Sequence, residues 1–361
     1  MNAETGAILY QKNAFAPSYP ASTTKIATIL YILEHKKLDP QKKITISADA
    51  VQKKNDRNRL HAPIHWMETD GTNIGLMAGE VLTADALLHG LMMRSGNDAA
   101  NALAEAVSGS VPQFMEELNA YLKSIGCTNT HYYNPHGYHY PDHMTTAFDL
   151  ALMMQRGLRL PQFLEILGKE TYLRHKTNKR AAIEFKQANG LIVKDHSYYY
   201  PKAIGSKTGF HSYAGSVLVA AATHEGRTLI AVTMGHDKKA EANAEVCRLF
   251  EAAFSETKLA RTLIAAPHYC TKHIPGADKK LQAFSYQDLE IFYYPSEEPE
   301  PKAFIQWAPI TLPIHKGDKV GQLQVFDERD SLIGAVDLVA RENIAKTWAF
   351  TLREKWNMFF N

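Results

Sequence analysis

Ser22-Thr-Thr-Lys25 places a hydroxyl and an amine three residues apart, which on a helix puts both on one face. A serine hydroxyl attacks a carbonyl only if its proton is removed as the bond forms, and Lys25 is the base within reach. Near its reference pKa of about 10.4 a lysine is protonated at neutral pH and cannot serve, but desolvation and a second cation both lower that value. Lys207-Thr-Gly209 supplies the second cation if it folds into the same cleft. Ser95-Gly-Asn97 offers a second hydroxyl, able to relay a proton to a leaving group, and an amide able to orient Lys25 or hold a substrate amide. The backbone N–H of Ser22, in the first turn of a helix, has the positive end of the helix dipole behind it and suits an oxyanion, with the N–H of Phe210 as second donor. Gly209 lets a substrate backbone come close, and Lys207 with Thr208 forms a cationic seat for a carboxylate. The chemistry is acyl transfer: a peptide ending in a free carboxylate acylates Ser22, its last residue departs, and water frees the rest.

These groups need elements to hold them. Ala21, Ile26, Ile29, Leu30 and Leu33 give the stretch from Ser22 to about Lys37 a broad apolar helical face, with Pro20 at its start. Helices are also expected over Leu82–Met93, Asp98–Val107 and Val111–Ile125, with Ser95 in a loop where Gly96 permits a sharp turn. Ala214–Ala222 and Gly226–Met234 are apolar, β-branched runs joined by His224-Glu-Gly226, a hairpin, with Lys207 on the strand approaching it. A helix over Ala240–Phe254 completes an α+β domain of antiparallel sheet with helices on both sides, spanning residues 1–258. From 259 to 361 short strands follow (Leu289–Tyr294, Ala303–Trp307, Ile310–Ile314, Val320–Phe326, Leu332–Val339), broken by turns such as Lys316-Gly-Asp318, and predict a small all-β sandwich. The tail from Trp348 to Phe360 clusters aromatic residues; a docked sheet edge and helix is preferred to an interfacial anchor.

Length and charge narrow the class. A chain of 361 residues exceeds the usual single core, so two domains are expected. A net charge of +2, from 40 basic and 38 acidic residues without a basic block, offers no nucleic-acid footprint. Cys127, Cys247 and Cys270 lie far apart with no C-x-x-C spacing, so neither a zinc site nor a redox motif is expected. No apolar run approaches the roughly 20 residues that span a bilayer. Met1-Asn-Ala-Glu-Thr-Gly6 leads at once into a strand-like Ala7–Tyr10 without a charged and apolar leader, and a trimmed mature form with an added Met1 is the preferred reading.

Each motif alone is a weak signal; their conjunction is not, since such a trio, with Ser-Asp-Asn in the middle where this chain reads Ser95-Gly-Asn97, marks penicillin-binding proteins and class A β-lactamases. The chain resembles the low-molecular-mass penicillin-binding proteins that are serine D-alanyl-D-alanine carboxypeptidases, of the penicillin-binding protein 5 type. The resemblance also rests on Tyr19-Pro-Ala21 before Ser22, Asp98-Ala-Ala100 after Asn97, Asn134-Pro-His-Gly137, His143-Met-Thr-Thr-Ala147, and Phe210 with Ala214-Gly215. It covers about residues 3–258 well and the β-rich remainder more loosely. It implies removal of the terminal D-alanine from peptidoglycan pentapeptide stems and inhibition by β-lactams through a slowly hydrolysed acyl-serine, with no cofactor and no metal. It also implies extracytoplasmic, periplasmic placement, a cleaved signal peptide and a C-terminal amphipathic helix on the inner membrane, the last two missing or cut short here. The family's carboxylate-binding arginine is not found in Met234-Gly-His-Asp-Lys-Lys239; Lys238 or Lys239 stands in for it, without the bidentate fork. The stretch Asn55–Gly75, with His61, His65 and Trp66, is longer than the family's and is expected to shape the cleft rim.

Other readings are weaker. A class A β-lactamase needs a glutamate-held water, and no Glu-x-x-x-Asn stands suitably between Asn97 and Lys207; Glu165–Lys169 does not fit. His131, His136, His139 and His143 invite a metal site, but no His-Glu-x-x-His accompanies them and hydrogen-bonded packing is the commoner role. A non-catalytic peptidoglycan-binding scaffold has no need of Ser22, Lys25 and Lys207 together. Endopeptidase and transpeptidase action share the acyl-serine and stay open.

Overall fold

The computed structural model describes residues 1–36 and 38–353. The chain divides into two compact units, Met1–Ser255 and a second from Glu256 onward.

In the first unit a 3-10 turn, Ala21–Thr23, leads into α1 (Thr24–Leu30), which passes into a π-helical turn, Tyr31–Lys36. The single helix expected from Ser22 to about Lys37 is therefore three pitches, and Lys37 lies outside the described residues. Tightening at the start has a local cause: Thr23 Oγ1 donates to Pro20 O (2.7 Å) and Thr24 Oγ1 to Ala21 O (2.9 Å), drawing the first turn onto its own carbonyls. Strands β1 (Lys43–Thr45) and β2 (Val81–Thr83) pair antiparallel. Helices α2 (Ala84–Met93), α3 (Asn97–Ser108), α4 (Val111–Ser124), α5 (Ala147–Gly157) and α6 (Pro161–Gly168) follow, the last two unforeseen in the sequence. Thr83, Ser110 and Thr146 cap α2, α4 and α5, each side chain accepting a backbone N–H one turn on. A small hairpin, β3 (Thr171–Arg174) with β4 (Ile183–Lys186), was also unforeseen.

The central sheet is antiparallel, in the order β5 (Ala203–His211), β6 (Gly215–His224), β7 (Arg227–His236), and α7 (Lys239–Phe254) ends the unit. Alternation along β6 fixes its two faces. Val217, Val219 and Ala221 join the main helical core with Ile26, Leu87 and Met154, while Leu218, Ala220 and Ala222 pack with Val246 and Phe250 of α7. Helices thus cover both sides of the sheet, and β5 is left as an edge strand beside Ser22.

The second unit is all-β, as the alternating runs predict. A five-stranded sheet runs in the order β12 (Lys302–Trp307), β13 (Lys319–Phe326), β14 (Leu332–Ala340), β10 (Leu281–Ser285), β9 (His268–Lys272). A two-stranded sheet pairs β11 (Leu289–Tyr293) with β8 (Leu259–Ile264). Leu281, Leu289, Val325 and Leu338 lie in its core. Ile310–Ile314 is not a strand; only Ile314 makes an isolated bridge, to Ile344. Two prolines explain the miss: Pro309 and Pro313 remove ladder donors at both ends of that run. Of the aromatic tail, Trp348 and Leu352 are exposed, and Trp356 to Phe360 lie outside the described residues. Among the described residues no helix is long and apolar enough to cross a membrane.

Candidate active site

Lys25 is fully buried on α1, and a buried amine is costly unless its hydrogens are taken. All three are: Nζ lies 3.0 Å from Ser22 Oγ, 2.7 Å from Asn97 Oδ1 and 2.7 Å from the carbonyl of His136. Two of those partners can only accept. Once Lys25 is neutral, its two remaining N–H bonds stay on Asn97 and His136, and its lone pair is left facing the Ser22 hydroxyl. Burial first, then the charge of Lys207, pushes the Lys25 pKa well below its ordinary range, against an opposing pull from Asp98. Lys207, also buried, is brought down to about 7 by burial and by the charge of Lys239. Its Nζ donates to Ser95 Oγ (3.1 Å) and to Thr208 O (2.9 Å).

Ser95 sits in the loop between α2 and α3 with φ of +57°. The sharp turn expected of Gly96 is made by Ser95 itself, since Gly96 has φ of −64°. Gly96 serves space instead: a Cβ there would fall 2.9 Å from Asp98 Oδ1. A non-glycine residue held in the left-handed region is strained, and here the surroundings over-determine it. Thr72 Oγ1 donates to Ser95 O (2.6 Å), and Asn97 N–H donates to Thr72 O (2.9 Å). Asp98 accepts backbone N–H groups from Ile74, Leu76 and Ala99.

The stretch from Asn55 to Gly75, expected at the cleft rim, is largely a buttress. Its Thr72 holds Ser95 and Asn97 as above, and a Cβ at Gly71 would lie 2.8 Å from Asn97 Nδ2. His65 and Trp66 turn their rings to Asp49 (2.7 and 2.6 Å), leaving the His65 carbonyl to hold His136 Nε2 (3.0 Å).

Sequence reasoning assigned no site role to Asn134-Pro-His-Gly137, although it singled the motif out. His136 contributes its backbone: its carbonyl is the third partner of Lys25, while its buried ring, held neutral by desolvation, donates to His65 O and accepts from Tyr138 N–H. Gly137 has φ of +86°, and a Cβ there would stand 1.9 Å from Ala21 O and 2.7 Å from Thr24 Oγ1. The backbone under Ser22 therefore admits only glycine at 137. Gly137→Ala is expected to cost more than about 2 kcal/mol of stability and to abolish acylation of Ser22, checked by thermal unfolding and by adduct mass. His143 is likewise committed: Nε2 meets Thr24 Oγ1 at 2.9 Å, Nδ1 accepts Tyr133 N–H at 3.1 Å, and burial brings its pKa to about 3.

Gly209 on β5 closes over the serine: a Cβ there would lie 2.8 Å from Pro20 O and 2.9 Å from Ser22 N. Phe210, next along the edge strand, is exposed and pairs with Ser216 on the inner side. Thr208 is half-buried beside Lys207. The two remaining lysines separate. Lys239 opens α7 and its charge acts on Lys207, whereas Lys238 is exposed with Nζ 3.9 Å from Glu241.

A sequence-family model described as D-alanyl-D-alanine carboxypeptidase matches residues 1–238, and one described as the C-terminal domain of penicillin-binding protein 5 matches residues 271–346. The chain is 30% identical over 367 residues to D-alanyl-D-alanine carboxypeptidase DacF of Bacillus subtilis, covering 99% of this chain and 88% of the relative. Penicillin-binding protein 5 of Haemophilus influenzae, a crystal structure, superposes with a TM-score of 0.63 at 27% identity, covering 96% of each chain. A mutant of the Streptomyces K15 DD-transpeptidase superposes with a TM-score of 0.61 at 27% identity, over 71% of this chain and 95% of the other.

Proposed function

We propose, on the premise that this chain belongs to the D-alanyl-D-alanine carboxypeptidase family, that Ser22 is its nucleophile and Lys25 the base that activates it. The protein is a serine-type D-alanyl-D-alanine carboxypeptidase that acts on peptidoglycan stems and is acylated by β-lactams, as is characteristic of its family. One observation carries the residue assignment: Lys25 Nζ is spent on two obligate acceptors and on Ser22 Oγ, at 3.0 Å.

The Ser22 proton passes to Lys25 as Oγ bonds to the penultimate carbonyl, and the oxyanion forms at the N–H groups of Ser22 and Phe210. As the tetrahedral species collapses, the C–N bond breaks, and the proton that Lys25 took from Ser22 passes by way of the Ser95 hydroxyl, which Lys207 holds, to the departing amine, leaving Lys25 neutral again. Water, losing its proton to Lys25, then attacks the ester, and that proton returns to Ser22 Oγ as the acyl group leaves as the free acid. Lys207 and Thr208 seat the terminal carboxylate, with Lys239 adding charge nearby; Lys238, turned to Glu241, adds less. Glu165, the residue weighed for a lactamase water, is exposed and paired with Lys169 at 3.2 Å.

Two lysines with opposite requirements predict a bell-shaped pH profile. Acylation needs Lys25 neutral, so kcat/KM climbs with pH through its depressed pKa. Carboxylate binding needs Lys207 charged, so kcat/KM for a free-carboxylate peptide falls as pH rises past about 7. An amidated peptide should lack the falling limb and turn over about 10- to 100-fold less well, and Lys207→Ala should bring the carboxylate substrate down to that level or below it, since the substitution also releases Ser95. Equal turnover of the two peptides by the wild type would remove Lys207 from this role.

The family's peptidoglycan substrate lies outside the cytoplasm, and we place the enzyme there, in the periplasm, associated with the inner membrane. The division into carboxypeptidase unit and β-rich unit, near residue 258, is part of the same reading.

A further inference from the structure

The reaction above leaves a group of rings beside Ser22 without a task. Tyr19, just ahead of the Pro20–Ser22 turn, and His139, just past Gly137, meet His211 and Tyr213 from the end of β5 and the turn that follows it. Tyr19 stands edge-on to His139 with centroids 4.8 Å apart. His139 lies flat on Tyr213 at 4.1 Å, with 15° between their planes. His211 closes the group at 6.0 Å from Tyr19 and 5.4 Å from His139.

Both imidazoles are neutral at working pH. His211 Nδ1 accepts the Ala214 N–H at 3.0 Å, which a protonated ring nitrogen cannot do. Burial lowers both pKa values, that of His211 to about 4. The layering ends at Tyr213, which is 69% exposed although one of its faces rests on His139. Its other face is open to solvent.

The position of the rings follows from β5. Lys207 and Thr208 lie at the carboxylate end of the substrate, Gly209 lies against Ser22 N, and the strand continues to His211. An extended peptide added along this edge advances about 3.3 Å per residue. With its carboxylate at Lys207 and its attacked carbonyl over Ser22, its second residue on the acyl side passes Phe210 and comes level with the rings. The four side chains are two neutral imidazoles and two phenols, so an anion would meet no counter-charge from them. A cation would meet stacked, electron-rich faces, and an ammonium over tyrosine is a favourable pair.

We infer that Tyr19, His139, His211 and Tyr213 form a subsite for an aliphatic ammonium on the second acyl-side residue of the stem, received on the open face of Tyr213. The inference rests on the carboxypeptidase reading and deepens it. An amine consumed in a cross-link has lost its charge, so this subsite favours stems that are not cross-linked through that residue.

The test compares kcat/KM for Nα-acetyl-L-Lys-D-Ala-D-Ala with its Nα,Nε-diacetyl counterpart in wild type, Tyr213→Phe and Tyr213→Ala. The wild type should prefer the free amine by about two- to fivefold, Tyr213→Phe should keep the preference, and Tyr213→Ala should lose it. The ratio carries the result, so a general loss of rate in one variant cannot imitate it. Equal use of the two peptides by the wild type, or a preference that survives in Tyr213→Ala, overturns the subsite. Failure of wild-type Ser22 to form a benzylpenicillin adduct would instead overturn the parent reading, and this one with it.

Discussion

Ser22→Ala incubated with benzylpenicillin is expected to keep its unmodified mass, while the wild type gains one penicillin and holds it for hours. The hydroxyl is the atom that becomes the ester oxygen, and no neighbour can replace it. Ser95, the second hydroxyl of the motifs, is bound to Lys207, which must keep its charge to seat the carboxylate, and is not paired with Lys25, the amine that activates Ser22. Removing Oγ leaves Lys25 its bonds to Asn97 Oδ1 and His136 O, so the fold around the base should persist. Intact-protein mass over time reads the result directly. An adduct in Ser22→Ala at the wild-type rate would end the acyl-Ser22 mechanism. Drug consumed by wild type without an adduct would favour a lactamase, and drug left intact without one would favour a scaffold.

Lys25→Ala should retain Ser22 and still lose about 10²- to 10⁴-fold in the rate of acylation, the usual contribution of a positioned base. The loss should be accompanied by disappearance of the rising limb of the pH profile, because the group that must be neutral is gone. A variant that merely loosened the fold would slow at every pH alike. The substitution also leaves the Asn97 amide oxygen and the His136 carbonyl without their buried donor, each costing about 1–3 kcal/mol if nothing replaces it. Thermal unfolding measured beside the pH profile separates that cost from the chemical one. A Lys25→Ala protein acylated within threefold of wild type, with the rising limb intact, would transfer the role of base to another group.

Much of the candidate site was legible because its motifs are short and local. The i, i+3 spacing of Ser22 and Lys25 survives the replacement of a simple helix start by a 3-10 turn, since both geometries set those residues on one face. Strands β6 and β7 were legible from their apolar, β-branched runs, and α7 from its periodicity. Strands β8, β9 and β10 were not: β8 is largely exposed and β9 alternates only between half-buried and exposed positions, so neither has a strong apolar period to read. Helix α6 is eight residues long, near the limit at which a pattern can register at all.

What the sequence determined by itself is the inventory and order of the chemistry: a serine with its lysine, a serine with its asparagine, a lysine beside threonine and glycine, and the acyl transfer they permit. Those relations depend on backbone geometry over three or four residues, which local composition governs. Only the tertiary structure decided that Asn97, 72 residues from Lys25, and the carbonyl of His136, 111 residues away, would saturate the amine, and that Ser95 rather than Gly96 would take the left-handed turn. It also turned His65 and Trp66 to Asp49, made Thr72 the brace of Ser95, and gathered four rings beside the serine. The reason is physical. A lysine's basicity depends on how completely packing excludes water and which dipoles it brings within 3 Å, and neither is a property of the residues adjacent in sequence.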